Sequence, residues 1–265
     1  MTKQLKIGIL NLMHDKLDTQ RRFASILPNT ELIFFYPRMH YLNRLVPNEV
    51  AQTSKPLNLE QINTLDGFII TGSPIDQIKF QDVTYIEEIR CLLNKLNQLK
   101  IPQLYFCWGA MVALNHFYGI QKQILSEKIF GIYPHLIIAP HPLLDRLSQG
   151  FIAPHARYAE MDKKQILQNP HLVINAVDDN GHLFMVSNPD KPEQSFIFSH
   201  IEYDQNGLKD EYQREVAAHP ERNYKKPANY NMAAPLFQCR NTQQIFFTNW
   251  LKQVKQVKQN KLVLE

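Results

Sequence analysis

Residues 103–119 read Gln-Leu-Tyr-Phe-Cys-Trp-Gly-Ala-Met-Val-Ala-Leu-Asn-His-Phe-Tyr-Gly, and this stretch decides the fold. The opening four residues have the length and apolar content of a buried strand. They run into Cys107-Trp108-Gly109 with no turn residue between. Helix-compatible residues continue to Tyr118, and Gly119 is a C-terminal stop. A buried strand that feeds directly into a helix is the unit of a parallel sheet.

Working upstream, residues 6–10 (KIGIL) and 31–36 (ELIFFY) read as strands, separated by a helix over residues 19–26 with Asp18 as its N-cap. Residues 66–70 (DGFII) form a third strand, which ends in the turn Thr71-Gly72-Ser73-Pro74. From Asp82 onward Val83, Ile86, Ile89, Leu92, Leu93, Leu96 and Leu99 follow helical spacing, with Cys91 inside that helix as a packing residue. Downstream, the Pro- and His-rich residues 119–159 read as irregular. Strands are expected at residues 183–186 and 195–200, a helix at 205–218, a loop at 219–240 and a closing helix at 241–258. There is no internal repeat or low-complexity linker. The pattern predicts a single α/β domain over residues 1–265, with a mostly parallel sheet and helices on both faces.

The bulk composition excludes several function classes. Hydrophobic residues make up 44% and charged residues 20%, which supports a folded core rather than disorder. The net charge of +4 comes from scattered residues, and Lys252, Lys255, Lys258 and Lys261 read as the solvated face of the last helix, so no nucleic-acid partner is expected. Three cysteines suit a reducing compartment. No window reaches the roughly 18 apolar residues of a membrane span, and residues 1–7 carry no leader signature, so a soluble cytoplasmic protein is expected. The histidines show no spacing with Cys, Asp or Glu that suggests a metal site.

Cys107 stands where a strand gives way to a helix, at the working edge of an open α/β sheet. A helix N-terminus there stabilises negative charge and offers backbone N–H groups to an oxyanion. The alternative is a buried structural cysteine, a frequent fate of this residue type. Residues 195–203 read SFIFSHIEY. If the strand continues through them, its period of two sends His200 and Glu202 to one side, where a carboxylate can orient an imidazole. The alternative is an exposed strand end. Together, Cys107, His200 and Glu202 have the residue types of a nucleophile, a base and an orienting acid.

Longer stretches carry a resemblance. Ile9-Leu10-Asn11-Leu12-Met13, Thr71-Gly72-Ser73-Pro74, Phe80-Gln81-Asp82-Val83, Cys107-Trp108 with Ala113-Leu114-Asn115, Tyr118-Gly119-Ile120, Glu127-Lys128, Ala153-Pro154-His155-Ala156-Arg157-Tyr158-Ala159, His200-Ile201-Glu202-Tyr203-Asp204 and Phe247-Thr248-Asn249-Trp250 are similar to the homoserine O-acyltransferase family, over about residues 5–251. The resemblance implies a class I glutamine-amidotransferase-like, flavodoxin-like fold. It also implies acyl transfer from acetyl-CoA or succinyl-CoA, as co-substrate and without a resident cofactor, to the hydroxyl of L-homoserine or L-serine, in methionine or cysteine biosynthesis. By the same resemblance Cys107 is the acyl-thioester nucleophile, His200 the proton acceptor and Glu202 the acid beside it. Lys128 and Arg214 bind substrate, Lys16 and Glu211 line the site, Arg157 lies near it, and backbone N–H groups at Trp108 and Ser73 hold the oxyanion. A homodimer is compatible with it.

Five positions depart from the family pattern. Asp76 stands where glycine accompanies succinyl transfer and glutamate accompanies acetyl transfer; a carboxylate there occupies space and repels a succinyl carboxylate, which points to acetyl-CoA. Ala156 replaces a serine in the block that bears on the acceptor. His14 replaces a proline, and Ser199 and Ile201 replace the glycine and proline that usually flank the histidine. Because one methylene in a pocket is worth only about 1–3 kcal/mol, these changes leave L-serine and L-homoserine both open as acceptor. Two rivals remain: a glutamine amidotransferase or cysteine hydrolase on the same fold, and a binding protein with an inactive site.

Overall fold

The computed structural model describes residues 4–264; residues 1–3, which belong to the N-terminal stretch expected to carry no leader signature, and residue 265 lie outside the described residues. The strands are β1 (Leu5–Leu10), β2 (Thr30–Tyr36), β3 (Lys55–Pro56), β4 (Gly67–Ile70), β5 (Gln103–Phe106), β6 (Lys122–Ile137), β7 (Phe151–Met161), β8 (Val173–Asp178), β9 (Leu183–Ser187) and β10 (Gln194–Ile197). The α-helices are α1 (Lys16–Ile26), α2 (Asn48–Thr53), α3 (Ile86–Leu99), α4 (Trp108–Tyr118), α5 (Lys163–Gln168), α6 (Gly207–Ala218) and α7 (Arg240–Leu264).

The described strands form one sheet in the order β3-β2-β1-β4-β5-β10-β9-β8-β6-β7. From β3 to β10 every neighbour is parallel. From β10 outward to β7 every neighbour is antiparallel. The sheet is therefore mostly parallel, as the strand–helix rhythm predicts. Helices cover both faces: α3 and α4 pack in one apolar cluster with Phe68, Tyr105 and Phe196, while Phe23 of α1 and Phe246, Phe247 and Trp250 of α7 pack in another with Ile7, Ile69 and Phe106. Ile86, Ile89, Leu92, Leu93 and Leu96 of α3 are all buried, each contributing about 1.5–3 kcal/mol of apolar transfer free energy.

Several expectations are corrected. The first helix begins one turn earlier, because the Asp15 side chain accepts from Asp18 N and is the N-cap; Asp18 instead lies in the first turn and pairs with Arg21 and Arg22. Cys91 is exposed, not packed, because positions 89, 92, 93 and 96 take the buried stripe and residue 91 falls on the opposite face. The final strand ends at Ile197, short of His200.

The largest correction is the stretch taken as irregular, which holds β6 and β7, a long antiparallel hairpin. Prolines argue against a strand because they cannot donate to a ladder. Here Pro134 and Pro154 sit where a neighbour is missing: β7 is the sheet edge, and β8 covers β6 only from His135 to Ile137. The hairpin also holds a large irregularity. Ile124 pairs with Ala159 and Ile129 with Arg157, so five residues of β6 advance against two of β7, and Lys128 lies in the excess.

Candidate active site

The parallel part of the sheet sends the loops after β1, β4, β5 and β10 to one edge, as expected for the carboxyl ends of an open α/β sheet. A cavity of about 490 Å³ opens there. Met13 and His14 reach it from the β1 loop, Ser73 and Asp76 from the β4 loop, Cys107 from the end of β5 and His200 from the segment after β10. The missed hairpin supplies Lys128, Ala156 and Tyr158, and α6 closes the remaining wall.

Cys107 is the N-cap of α4 at φ 45° and ψ −111°, a conformation that L side chains rarely adopt. Its N–H donates to the Ile197 carbonyl of β10 (2.7 Å) and its C=O accepts from Met111 N in the next turn (3.0 Å), so strand and helix hold the strained residue from both sides. The turn can be this tight because Gly109 follows. A Cβ there would lie 2.8–2.9 Å from the carbonyls of Thr71 and Ile70, so only glycine lets α4 begin against the end of β4. The Trp108 indole is fully buried beside Phe80 and Tyr85, so what Trp108 can offer the site is its backbone N–H, one of the helix's uncommitted first donors.

His200 and Glu202 meet through a turn, not through strand alternation. Tyr203 N donates to His200 O (2.9 Å), folding residues 200–203 back, and His200 N donates to Pro154 O of β7 (2.8 Å). Within that turn His200 Nδ1 lies 2.7 Å from Glu202 Oε1, and both side chains are buried. Gly72 packs between base and nucleophile: a Cβ on it would stand 2.9 Å from His200 Cε1 and 3.2 Å from Cys107 Cβ. Burial alone would push the imidazole toward neutrality. The charges of Glu202 and of the Cys107 sulfur outweigh it and hold the His200 pKa well above its usual range. The Tyr203 ring stacks on His200, with centroids 4.5 Å apart.

Tyr203 links this group to a second one. Its hydroxyl donates to Glu211 Oε2 (2.7 Å), and Lys128 bonds both Glu211 and Glu215, the latter at 2.9 Å. Burial would raise the Glu211 carboxyl, but Lys128, the charged His200 and these hydrogen bonds bring it below its usual range. Glu211, Arg214, Glu215 and Ala218 recur at helical spacing and all line the cavity, so one face of α6 forms its wall. Among the described residues Arg214 forms no ion pair.

Asp76 lines the cavity, and its Oδ2 accepts from Tyr158 N at 2.5 Å. Tyr158 is the β7 residue opposite the irregularity of β6, and Asp76 takes the N–H that the ladder leaves over. Burial raises the Asp76 carboxyl above its usual range, against that hydrogen bond and the nearby Lys128 and Lys122 ammonium groups.

Other expected site residues lie elsewhere. Lys16 does not reach the cavity wall. Its ammonium donates to the carbonyls of Asn11 (2.8 Å) and Met13 (2.7 Å), and burial lowers it to about 8, so it fastens the loop that carries Met13 and His14. Arg157 is buried within the sheet, donating to Phe198 O (3.0 Å), Leu183 O (3.1 Å) and Glu160 (2.8 Å). It braces the strand that leads to His200 from behind. Glu215 and Tyr158 were not anticipated; the spacing of Glu215 four residues after Glu211 on one helix was the available signal.

Residues 1–260 match the family described as homoserine O-succinyltransferase. The chain belongs to that family. A "Serine O-acetyltransferase" of Lactobacillus acidophilus is 67% identical over 264 residues, covering 100% of both chains, and another of Lacticaseibacillus casei is 51% identical over 259 residues, covering 94% of this chain and 95% of that one. A "Homoserine O-acetyltransferase" of Acetivibrio thermocellus is 32% identical over 259 residues, covering 94% and 84%. Among solved structures, a glutamine amidotransferase of Thermotoga maritima superposes with a TM-score of 0.68 at 9% identity, over 95% of this chain and 99% of that one. At that identity the likeness shows the fold alone: the chain has a class I glutamine-amidotransferase-like fold. Among the described residues no helix is long and apolar enough to cross a membrane, and no cluster of His, Cys, Asp and Glu has the form of a metal site.

Proposed function

We propose that the protein transfers an acetyl group from acetyl-CoA to the hydroxyl of L-serine through a thioester on Cys107. The observation that carries the reading is the buried His200, set between Glu202 and the strained Cys107 at the base of a cavity. In the first half-reaction the Cys107 sulfur attacks the thioester carbonyl. The bond to the coenzyme A sulfur breaks, and that sulfur leaves as a thiol with the proton from His200. Acylation removes the charge on Cys107 that helps hold the imidazole protonated, so His200 becomes a base when one is needed. In the second half-reaction His200 takes the serine hydroxyl proton, the serine oxygen attacks the acyl carbon, and Cys107 is released. The Trp108 N–H and the Ser73 turn are suited to hold the oxyanion; one such donor is typically worth about 2.7–4 kcal/mol.

The polar wall suits an amino acid. Arg214 offers a guanidinium to its carboxylate, and Glu211 and Glu215, with Lys128 between them, offer acceptors to its ammonium. The buried Asp76 carboxyl disfavours a succinyl tail by volume and, when charged, by repulsion. The names of the two relatives at 67% and 51% identity favour serine over homoserine. Ala156, small and buried on the acceptor side, accords with a pocket altered from the serine-bearing pattern.

The test follows free-thiol release from acetyl-CoA with L-serine and with L-homoserine, beside no-acceptor and succinyl-CoA controls and an assay for ammonia from glutamine. Serine-dependent release and product O-acetylserine are expected. Faster release with homoserine would overturn the acceptor assignment, and glutamine hydrolysis without acyl transfer would overturn the reaction class.

A further inference from the structure

The cavity runs outward along α6. Side-chain exposure rises from 15% at Glu211 to 23% at Glu215 and 64% at Arg222, so Glu211 lies deep and Arg222 at the mouth. From Glu211 to Ala218 the helix advances roughly 10 Å at 1.5 Å per residue, and residues 219–224 carry the lining further. Glu211 is tied by Tyr203 to the His200 ring, so this distance starts close to the reacting atoms.

This wall gives the pantetheine arm of an acyl-CoA a path to Cys107, and in a two-step exchange coenzyme A leaves before the acceptor takes the inner part of the same wall. The arm is about as long as four extended residues, or roughly 14 Å. Its pyrophosphate, 3′-phosphate and adenine then emerge beyond the end of α6. Residues 219–226, His-Pro-Glu-Arg-Asn-Tyr-Lys-Lys, begin there. Arg222 and Tyr224 line the mouth, and Lys225 and Lys226 follow, exposed.

Among the inner cations Arg214 is assigned above to the acceptor carboxylate, and the lysines in and behind the cavity wall are already engaged. Lys128 is bonded to two glutamates, Lys122 to the carbonyls of Asp76 and Ile78, and Lys16 to those of Asn11 and Met13. At the mouth the partners are exposed and weak. Arg222 faces Glu221 of its own loop at 3.6 Å, and Lys225 pairs with Glu127 at 2.7 Å with both side chains more than 60% exposed. Such pairs exchange readily for a multivalent phosphate.

Resting on the acyl-CoA reading above, we propose that residues 222–226 form the subsite for the 3′-phosphorylated ADP end of the donor, with Arg222, Lys225 and Lys226 on its phosphates and the Tyr224 ring against the adenine. The experiment compares the wild type with the triple variant Arg222→Ala/Lys225→Ala/Lys226→Ala. The donors are acetyl-CoA and acetyl-pantetheine, which keeps the thioester and arm but has no phosphate or adenine. The triple variant should raise KM for acetyl-CoA by about tenfold or more, with kcat unchanged and acetyl-pantetheine turnover unaltered. The rise of KM with salt in the wild type should flatten. A KM for acetyl-CoA within twofold of wild type, or an equal loss with both donors, would overturn the subsite. If the wild type uses neither donor, the proposed function fails on its own. Calorimetry with adenosine 3′,5′-bisphosphate then decides the subsite: binding that the triple variant loses supports it, and no binding to the wild type overturns it.

Discussion

Gly72 offers a sharp test of whether the contact between Cys107 and His200 is the working geometry. Gly72 precedes Ser73 in the turn after β4, and an alanine there would place its Cβ 2.9 Å from His200 Cε1 and 3.2 Å from Cys107 Cβ. Contacts of that kind ordinarily begin near 3.4 Å, so the imidazole must yield by about half an ångström and Cys107 by a few tenths. Neither neighbour moves freely. Cys107 is pinned by hydrogen bonds to β10 and α4, and His200 is pinned by Glu202, Pro154 and the Tyr203 ring. Active sites tolerate only about 0.5 Å of misplacement, and 1 Å costs on the order of a hundredfold. Gly72→Ala is therefore expected to lower kcat by about 10- to 100-fold, or roughly 1.4–2.7 kcal/mol of barrier. The added methyl presses on two cavity-lining side chains rather than on the packing between sheet and helices, so the melting temperature should move by no more than a few degrees. The assay is thiol release from acetyl-CoA with serine, beside a thermal melt. Turnover within threefold of wild type in a folded Gly72→Ala variant would refute the claim that these two side chains act in the geometry described.

The other expectations are as follows. Cys107→Ala should abolish transfer and the mass increment of an acetyl-enzyme while the melt stays close to wild type; retained turnover would remove Cys107 as nucleophile. Asp76→Gly should raise the succinyl-CoA to acetyl-CoA ratio and, by leaving the Tyr158 N–H without its acceptor, destabilise the fold by about 1–3 kcal/mol; an unchanged ratio would mean that Asp76 does not select the acyl group. For Glu202→Gln the sign follows from His200, whose pKa is higher folded than unfolded. Its stabilising contribution is complete below the unfolded pKa of about 6.5 and is lost as the pH rises through the folded value. The gap in melting temperature between wild type and Glu202→Gln should therefore be widest below about pH 6.5 and narrow toward alkaline pH; a gap that widens upward would contradict the buried imidazolium.

Much of the site was legible because its elements announce themselves locally. A four-residue apolar run before Cys107 and a glycine after Tyr118 mark β5 and α4 by periodicity and capping alone. The same holds for α3, whose buried stripe is visible at every turn. Prolines misled the reading of β6 and β7, since a proline's compatibility with a strand depends on which neighbour it lacks. The irregularity that sets Lys128 beside Glu211 and leaves Tyr158 N–H to Asp76 is a property of two paired strands, and no single segment encodes it.

The sequence by itself determined the alternation of strands and helices, the position of the nucleophile at a strand-to-helix junction and the residue types of the triad. These follow from patterns confined to a few consecutive residues. Only the tertiary structure decided that His200 and Glu202 meet through a turn, that the Lys16 ammonium faces backbone carbonyls rather than the cavity, and that the face of α6 opposite the hairpin forms the polar wall. Those outcomes depend on strand register and on charges brought together from positions more than eighty residues apart, as with Lys128 and Glu211. Such pairings are fixed by packing, because the burial of each charge is tolerable only where its partner is also held.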